Sequence, residues 1–293
     1  MKMLFVIKLV VLISALLWKS CAGNLYCDIY EDELPSSCKD ILAKYPGTPS
    51  GNYDIQPVSG GPIITVYCDM ENKRCGSKGW TAIAHVNMSL PGSQCPGNLH
   101  LITDLESGIR SCGADPNSIG CAFAEFLTHG IEYTEVCGML RGYQVGIPSA
   151  FGPYVNDQSD PESFVDGVII SHGTTPDFIW IYANGAEKVP SSSSNIVCPC
   201  TGPLYNGVVP PYVGTDYYCD SGVVSDPQGG VFYPTPLWTG TGCNPPDFCC
   251  SASGLPWFSK KLPLPTTDYI TLEVCHNELP ENTPLDQIEL YIR

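Results

Sequence analysis

Sixteen cysteines in 293 residues constrain this chain more than any other feature, and the residues before them decide how they are read. Lys2 and Lys8 give a positive start, residues 9–18 are apolar, and Ser20-Cys21-Ala22-Gly23 supplies small residues for cleavage. That is the pattern of a secretion signal over residues 1–23. The apolar run is well short of the roughly 18 residues a spanning helix needs, and no second run of that length follows. The mature chain is therefore expected to be soluble and secreted, with no membrane partner. In an oxidising compartment such a cysteine density means disulfides, whereas in cytosol it would suggest metal sites. Cys198-Pro-Cys200 and Cys249-Cys250 look like zinc ligands only superficially. Neither belongs to a pair of C-x-x-C knuckles and no histidine lies at ligand spacing, so no high-affinity metal and no cofactor are expected. Near neighbours rarely bridge each other, so each of these four should tie its loop to a distant strand. Cleavage after Ala22 or Gly23 removes Cys21 and leaves an odd number of cysteines. Cys27, near the new N-terminus, is then the candidate for an intermolecular disulfide.

Charge narrows the partners. The formal net charge is −16. The leader carries three lysines (Lys2, Lys8, Lys19) and no acid, so the mature chain is three units more negative, about −19. Such a chain repels nucleic acid and anionic membrane. It suits cations, basic proteins or the face of a calcium mineral. Charged residues are only 15% of the chain, a level that solubility alone also explains. The acids fall in clusters: Asp28, Glu31, Asp32 and Glu33; Asp157, Asp160, Glu162 and Asp166; and Glu278, Glu281, Asp286 and Glu289. None has EF-hand spacing, so a tight calcium site is not expected. Weak, numerous contacts of the first two clusters to calcium or mineral are the sharper reading, and a solvated acidic surface is the plainer one.

The pattern along the chain is one of short strands. Candidates are residues 139–145, 167–171, 178–183, 270–275 and 288–292, separated by long Gly/Pro loops such as 191–211 and 234–246. Within the last two hundred residues only 122–128 have a helical look, and that stretch is too short to assign. The expected fold is mainly β, a disulfide-stabilised β-rich α+β chain with a sandwich-like core. Seven cysteines from Cys198 to Cys275 fall in or beside the loops and can pin them. The expected organisation is a leader (1–23), an acidic lead with an N-terminal segment (24–88) and a Cys-rich β module (89–293). One domain or two packed modules fit the length equally well.

The N-terminal segment carries the most specific motif. Cys38, Ile41, Leu42 and Pro46 suit a short helix; Ser50, Gly51, Tyr53, Ile55 and Pro57 suit a strand. Val66-Tyr67-Cys68-Asp69-Met70 suits a second strand, and Gly79-Trp80-Thr81 a turn into a third. In order and spacing, residues 38–81 resemble the opening of a fibrinogen-like domain. Read without the family, Ser36 and Ser37 are candidate N-caps and Pro46 ends the helix after about two turns. A cysteine at the helix start and one on the β-branched strand make a sensible staple, Cys38–Cys68. The rest departs from the fibrinogen pattern. No Asp-x-Asp-x-Asp run occurs, so that family's calcium site and acetyl-group pocket do not carry over. The segments GYQVGIPSAFG, DFIWIYANG, VGTDYYCDSG, LWTGTGC and ITLEVC are similar to a Cys-rich module of secreted cnidarian proteins. Leader, fibrinogen-like start and this module together resemble skeletal organic matrix proteins of stony corals. That resemblance implies deposition in calcium carbonate beside other matrix proteins, in an extracellular skeletal matrix.

Nothing in the chain reads as catalytic. His85, His100, His129, His172 and His276 are scattered, and there is no G-x-S-x-G elbow, H-E-x-x-H helix or P-loop. His172, after a strand, is read as a hydrogen-bonded structural histidine, and the chain as a non-enzyme. Tyr217, Tyr218, Trp238, Trp257 and Phe258 sit in apparent loops, where aromatic faces could stack on sugars. A secreted fibrinogen-like recognition protein of lectin type, binding glycans, is thus the alternative reading; anchoring loops to the core is the plainer role for such rings. Asn87-Met88-Ser89 is an N-glycosylation sequon.

Overall fold

The computed structural model describes residues 34–145, 164–186, 211–213, 218–220, 257–277, 279 and 282–293. Residues Pro35–Arg293 form one compact unit. It is mainly β and disulfide-stabilised. Its one described α-helix, α1 (Cys38–Lys44), starts where a hydroxyl and a carboxylate meet the free amides. Ser37 Oγ accepts from the Asp40 amide at 3.2 Å, and Asp40 Oδ2 accepts from the Ser36 amide at 3.0 Å. Among the described residues no helix is long and apolar enough to cross a membrane.

Thirteen strands follow: β1 (Gly51–Ile55), β2 (Ile64–Asp69), β3 (Trp80–Asn87), β4 (His100–Thr103), β5 (Arg110–Gly113), β6 (Gly120–Phe126), β7 (Tyr133–Gly142), β8 (Phe164–His172), β9 (Asp177–Ala186), β10 (Tyr218–Asp220), β11 (Trp257–Thr266), β12 (Ile270–His276) and β13 (Leu285–Ile292). The first sheet runs β1-β2-β3-β13-β7-β11, with the β4–β5 pair joined to β13 at Leu285. The second runs β10-β9-β8-β12-β6. Only β10 and β9 pair in parallel; every other named pair is antiparallel.

Both sheets contribute to one hydrophobic core. Leu140, Phe258, Ile288 and Leu290 of the first pack in one cluster with Val168, Ile170, Leu272 and Val274 of the second. Trp180 of β9 stacks on Phe258 of β11 with centroids 5.3 Å apart. Packing is close enough that Gly138 on β7 has no room for a side chain: a Cβ there would sit 2.8 Å from Glu289 O and from Leu290 Cδ2. Residues 122–128, helical by composition, are instead mostly strand. Ala122 and Ala124 face the core while Cys121, Phe123 and Glu125 face out. That period of two, together with pairing to β12 over its full length, outweighs the helix propensity of Ala and Glu.

The C-terminal strand β13 is nearly covered on both faces. On the face away from the shared core, Glu289 is 5% exposed and receives Tyr291 Oη at 2.7 Å and Arg74 Nε at 3.4 Å. The Arg74 guanidinium lies between the rings of Tyr67 and Tyr291, 5.7 and 5.5 Å from their centroids. The Cys75–Cys137 disulfide fixes the same loop to β7. Burial and the adjacent Glu289 carboxylate push the Tyr291 hydroxyl far up from its ordinary value, so it stays a donor. Arg74→Ala would leave Glu289 buried without its cation. We expect a loss of about 2–4 kcal/mol, read as a lower urea midpoint at unchanged slope.

Candidate functional site

Most of the acids singled out in the sequence, Asp28, Glu31, Asp32, Glu33, Asp157, Asp160 and Glu162, lie outside the described residues, as does Cys27. Asp166 requires a correction. It is fully buried on β8 and accepts a hydrogen bond from Gln144 Nε2 at 3.2 Å, so it faces no mineral. Its position in the second sheet, opposite His276, turns it inward. Two members of the C-terminal cluster are internal as well. Asp286 takes a two-pronged hydrogen bond from Arg141 and a third from Tyr143 Oη at 3.2 Å, and Glu289 is held by Arg74. Sequence spacing groups Asp286 and Glu289 together, but both are internal because β13 is covered on both faces.

The acids that do reach solvent come from other places. Glu106, Glu125 and Glu132 are exposed, and their carboxylates have no ion-pair partner among the described residues. Asp104 and Asp115 sit in tight turns. The Ser107 hydroxyl and the Asn117 amide, respectively, hold their carboxyls below the usual range, so both stay charged in mild acid. No motif points to these positions in the sequence.

Asn87 ends β3, and its side-chain oxygen accepts from both the amide (3.0 Å) and the hydroxyl (2.6 Å) of Ser89. The sequon is therefore a closed turn at the molecular surface, with the Asn87 amide nitrogen free of any described partner. Beside it opens a cavity of about 490 Å³ lined by Ser89, Leu90, Arg110, Arg141, Tyr143 and Asp286, among others. Both arginines there are already engaged. Arg110 donates to the carbonyls of Met88, Leu90 and Ser93, and Arg141 to Asp286. The cavity thus offers little uncompensated charge to an anion.

The staple cysteines are joined: Cys38 on α1 is bonded to Cys68 on β2, Cα to Cα 5.4 Å. His172 lies between two carboxylates, Asp268 Oδ2 at 3.2 Å and Asp177 Oδ2 at 3.5 Å. The aromatic reading changes in two places. Phe258 is 8% exposed and Trp257 half-buried, both on β11 rather than in a loop. Tyr218 opens β10, while Tyr217 and Trp238 lie outside the described residues, as do Cys198, Cys200, Cys249 and Cys250. Cys275 lies on the strand expected over 270–275. It sits inside β12, bonded to Cys121 of β6.

Glu273, two residues earlier on β12, lies opposite Phe123 on one side and Ile169 on the other. Burial raises its carboxyl above the ordinary value. A folded-state value above the unfolded one means that the native state binds the extra proton, so stability falls as pH rises through the folded value. Glu273→Gln removes that loss. We expect the variant to melt higher than the parent near neutral pH and the two to converge below the ordinary carboxyl range, measured as paired melting curves against pH.

A 54-residue stretch is 48% identical to fibrinogen-like protein A of Apostichopus parvimensis, covering 18% of this chain and 18% of that protein. The chain thus matches less than a fifth of that relative's length. No family model and no solved structure matches. A fibrinogen-like segment inside a disulfide-stabilised β fold is the composition of a secreted, extracellular protein.

Proposed function

We propose that this is a secreted, non-catalytic structural protein of a calcified extracellular matrix, presenting carboxylates to calcium ions or to mineral and to basic matrix proteins. The observation that carries the reading is the imbalance in the chain: 30 acids stand against 14 Lys and Arg. Of the few arginines, Arg74, Arg110, Arg141 and Arg293 are occupied inside the molecule or in pinning its loops. The exposed carboxylates of Glu106, Glu125 and Glu132 are left for cations from outside. Bridges holding α1, the 70–79 loop and β6 to their neighbours supply a stiff platform, which lowers the entropy lost on contact with a lattice. Single contacts of this kind are weak, and many together give useful affinity. Glycan stacking is the less favoured reading, because Phe258 spends its face on Trp180.

Adsorption of the purified mature protein to calcium carbonate powder tests this. Half-saturation should move to higher protein concentration as sodium chloride rises, since exposed charge contacts are screened. Combining Glu106→Gln, Glu125→Gln and Glu132→Gln should weaken adsorption by roughly twofold or more on the scale of exposed charge pairs. Adsorption that ignores both salt and the triple substitution would overturn the reading. Asn87 should carry the glycan of this matrix protein. Material secreted from a glycosylating host should lose one glycan mass on Asn87→Gln and on Ser89→Ala alike, read by intact mass spectrometry.

A further inference from the structure

Cys121, Glu273 and Cys275 bring two sulfurs and a carboxylate oxygen within 4.8 Å of one another. The strand register makes this cluster. Cys121 lies directly opposite Cys275 on the antiparallel β6–β12 pair, and Glu273 shares the Cys275 face two residues away. The amide and carbonyl of Phe123 turn away from β12 to bond Asn98. Cys121, two residues before it, has the same orientation and therefore occupies a non-hydrogen-bonded pair, where facing side chains are closest. The Cα atoms are 4.0 Å apart, and the sulfurs are joined.

Two further observations set this bridge apart. Cys121 is exposed, while the other seven described bridge cysteines are buried or half-buried. A thiolate must reach a sulfur to attack it, so Cys121 Sγ is the accessible one. The Glu273 carboxylate makes no hydrogen bond or ion pair among the described residues, although the residue is half-buried between Phe123 and Ile169. A carboxylate in such a place has an unmet demand for a cation.

We propose that the Cys121–Cys275 disulfide is a reducible latch over a soft divalent-cation site, in which the two thiolates and Glu273 hold one zinc-like ion once the bridge opens. A small-molecule thiol supplies the electrons. Its thiolate attacks Cys121 Sγ, forming a mixed disulfide and releasing the Cys275 thiolate. A second thiol attacks the small-molecule sulfur of that mixed disulfide, releasing the Cys121 thiolate and a small-molecule disulfide. Two electrons pass from the two thiols to the bridge, and binding of the ion displaces the protons held by the two cysteines. Two thiolates and a carboxylate, with water in a fourth position, are a donor set suited to Zn²⁺ or Cd²⁺. The edge strand β6 is then fastened to β12 by a covalent bond in one state and by the ion in the other.

The test uses the full chain with free thiols first capped by alkylation. Graded glutathione followed by a second, isotopically distinct alkylating agent should label Cys121 and Cys275 before any other described pair. Earlier opening of Cys38–Cys68, Cys75–Cys137 or Cys95–Cys112 would overturn the proposal. At the glutathione level that frees this pair alone, with the thiol removed, Cd²⁺ titration should reach one equivalent with a thiolate-to-cadmium ultraviolet band. The oxidised protein should show no band. Glu273→Gln should bind at least about tenfold more weakly, and the paired Cys121→Ser and Cys275→Ser variant not at all. A missing band with both thiols free, or equal affinity in Glu273→Gln, would sink the cation site.

Discussion

The fold depends on β13 being received between β3 and β7. Strand β3 lies early in the chain, β7 in its middle and β13 at its end, so the β3–β13 pairing spans more sequence than any other among the described residues. Closing so long a loop has an entropic cost that grows only slowly with length, and the burial of Ile288, Leu290 and Ile292 against the second sheet offsets it. The pairing continues past the strand: the Arg293 amide donates to Glu135 O at 2.9 Å, and its carbonyl accepts from the amides of Thr134 and Glu135.

A strand buried on both faces normally reads as continuously apolar. This one carries Asp286 and Glu289, and each needed a cation brought to it. Arg141 comes from the neighbouring strand, Arg74 from a loop more than two hundred residues earlier. The Cys75–Cys137 bridge then holds that loop in place, so an ion pair, a cation–π stack and a disulfide reinforce one position. The consequence for function is economical. With the arginines committed to the interior and to loop carbonyls, the exposed carboxylates of Glu106, Glu125 and Glu132 are left without an ion-pair partner among the described residues.

The second sheet shows the opposite arrangement. Its β6 edge carries an exposed cysteine, and its outward face holds a carboxylate without a partner. Beside it, Gly97 at positive φ (+61°) lets the 96–99 loop come against Phe123 and Ala124 so closely that a Cβ would collide with their backbone. That loop gives part of the edge strand backbone partners, which limits edge-to-edge association.

The sequence by itself determined the β class, the short capped helix and the strands around it, because these follow from local chemistry: Ser37 before a helix, Pro46 after it, and β-branched residues from Ile63 onward. It also placed strands at 167–171, 178–183, 270–275 and 288–292 within the observed ones, since short β-branched and apolar runs are a local signal. Only the tertiary structure decided which acids face water and which cysteines meet. Asp166 and Glu106 are both polar letters in the sequence, yet one is sealed under Gln144 and the other is free in solvent. Cys121 meets Cys275 across 154 positions of chain, and Glu273 joins them only because β6 and β12 pair in that register. Contacts of that kind depend on strand order and register, which are properties of the whole packed chain and leave no mark in the residues nearby.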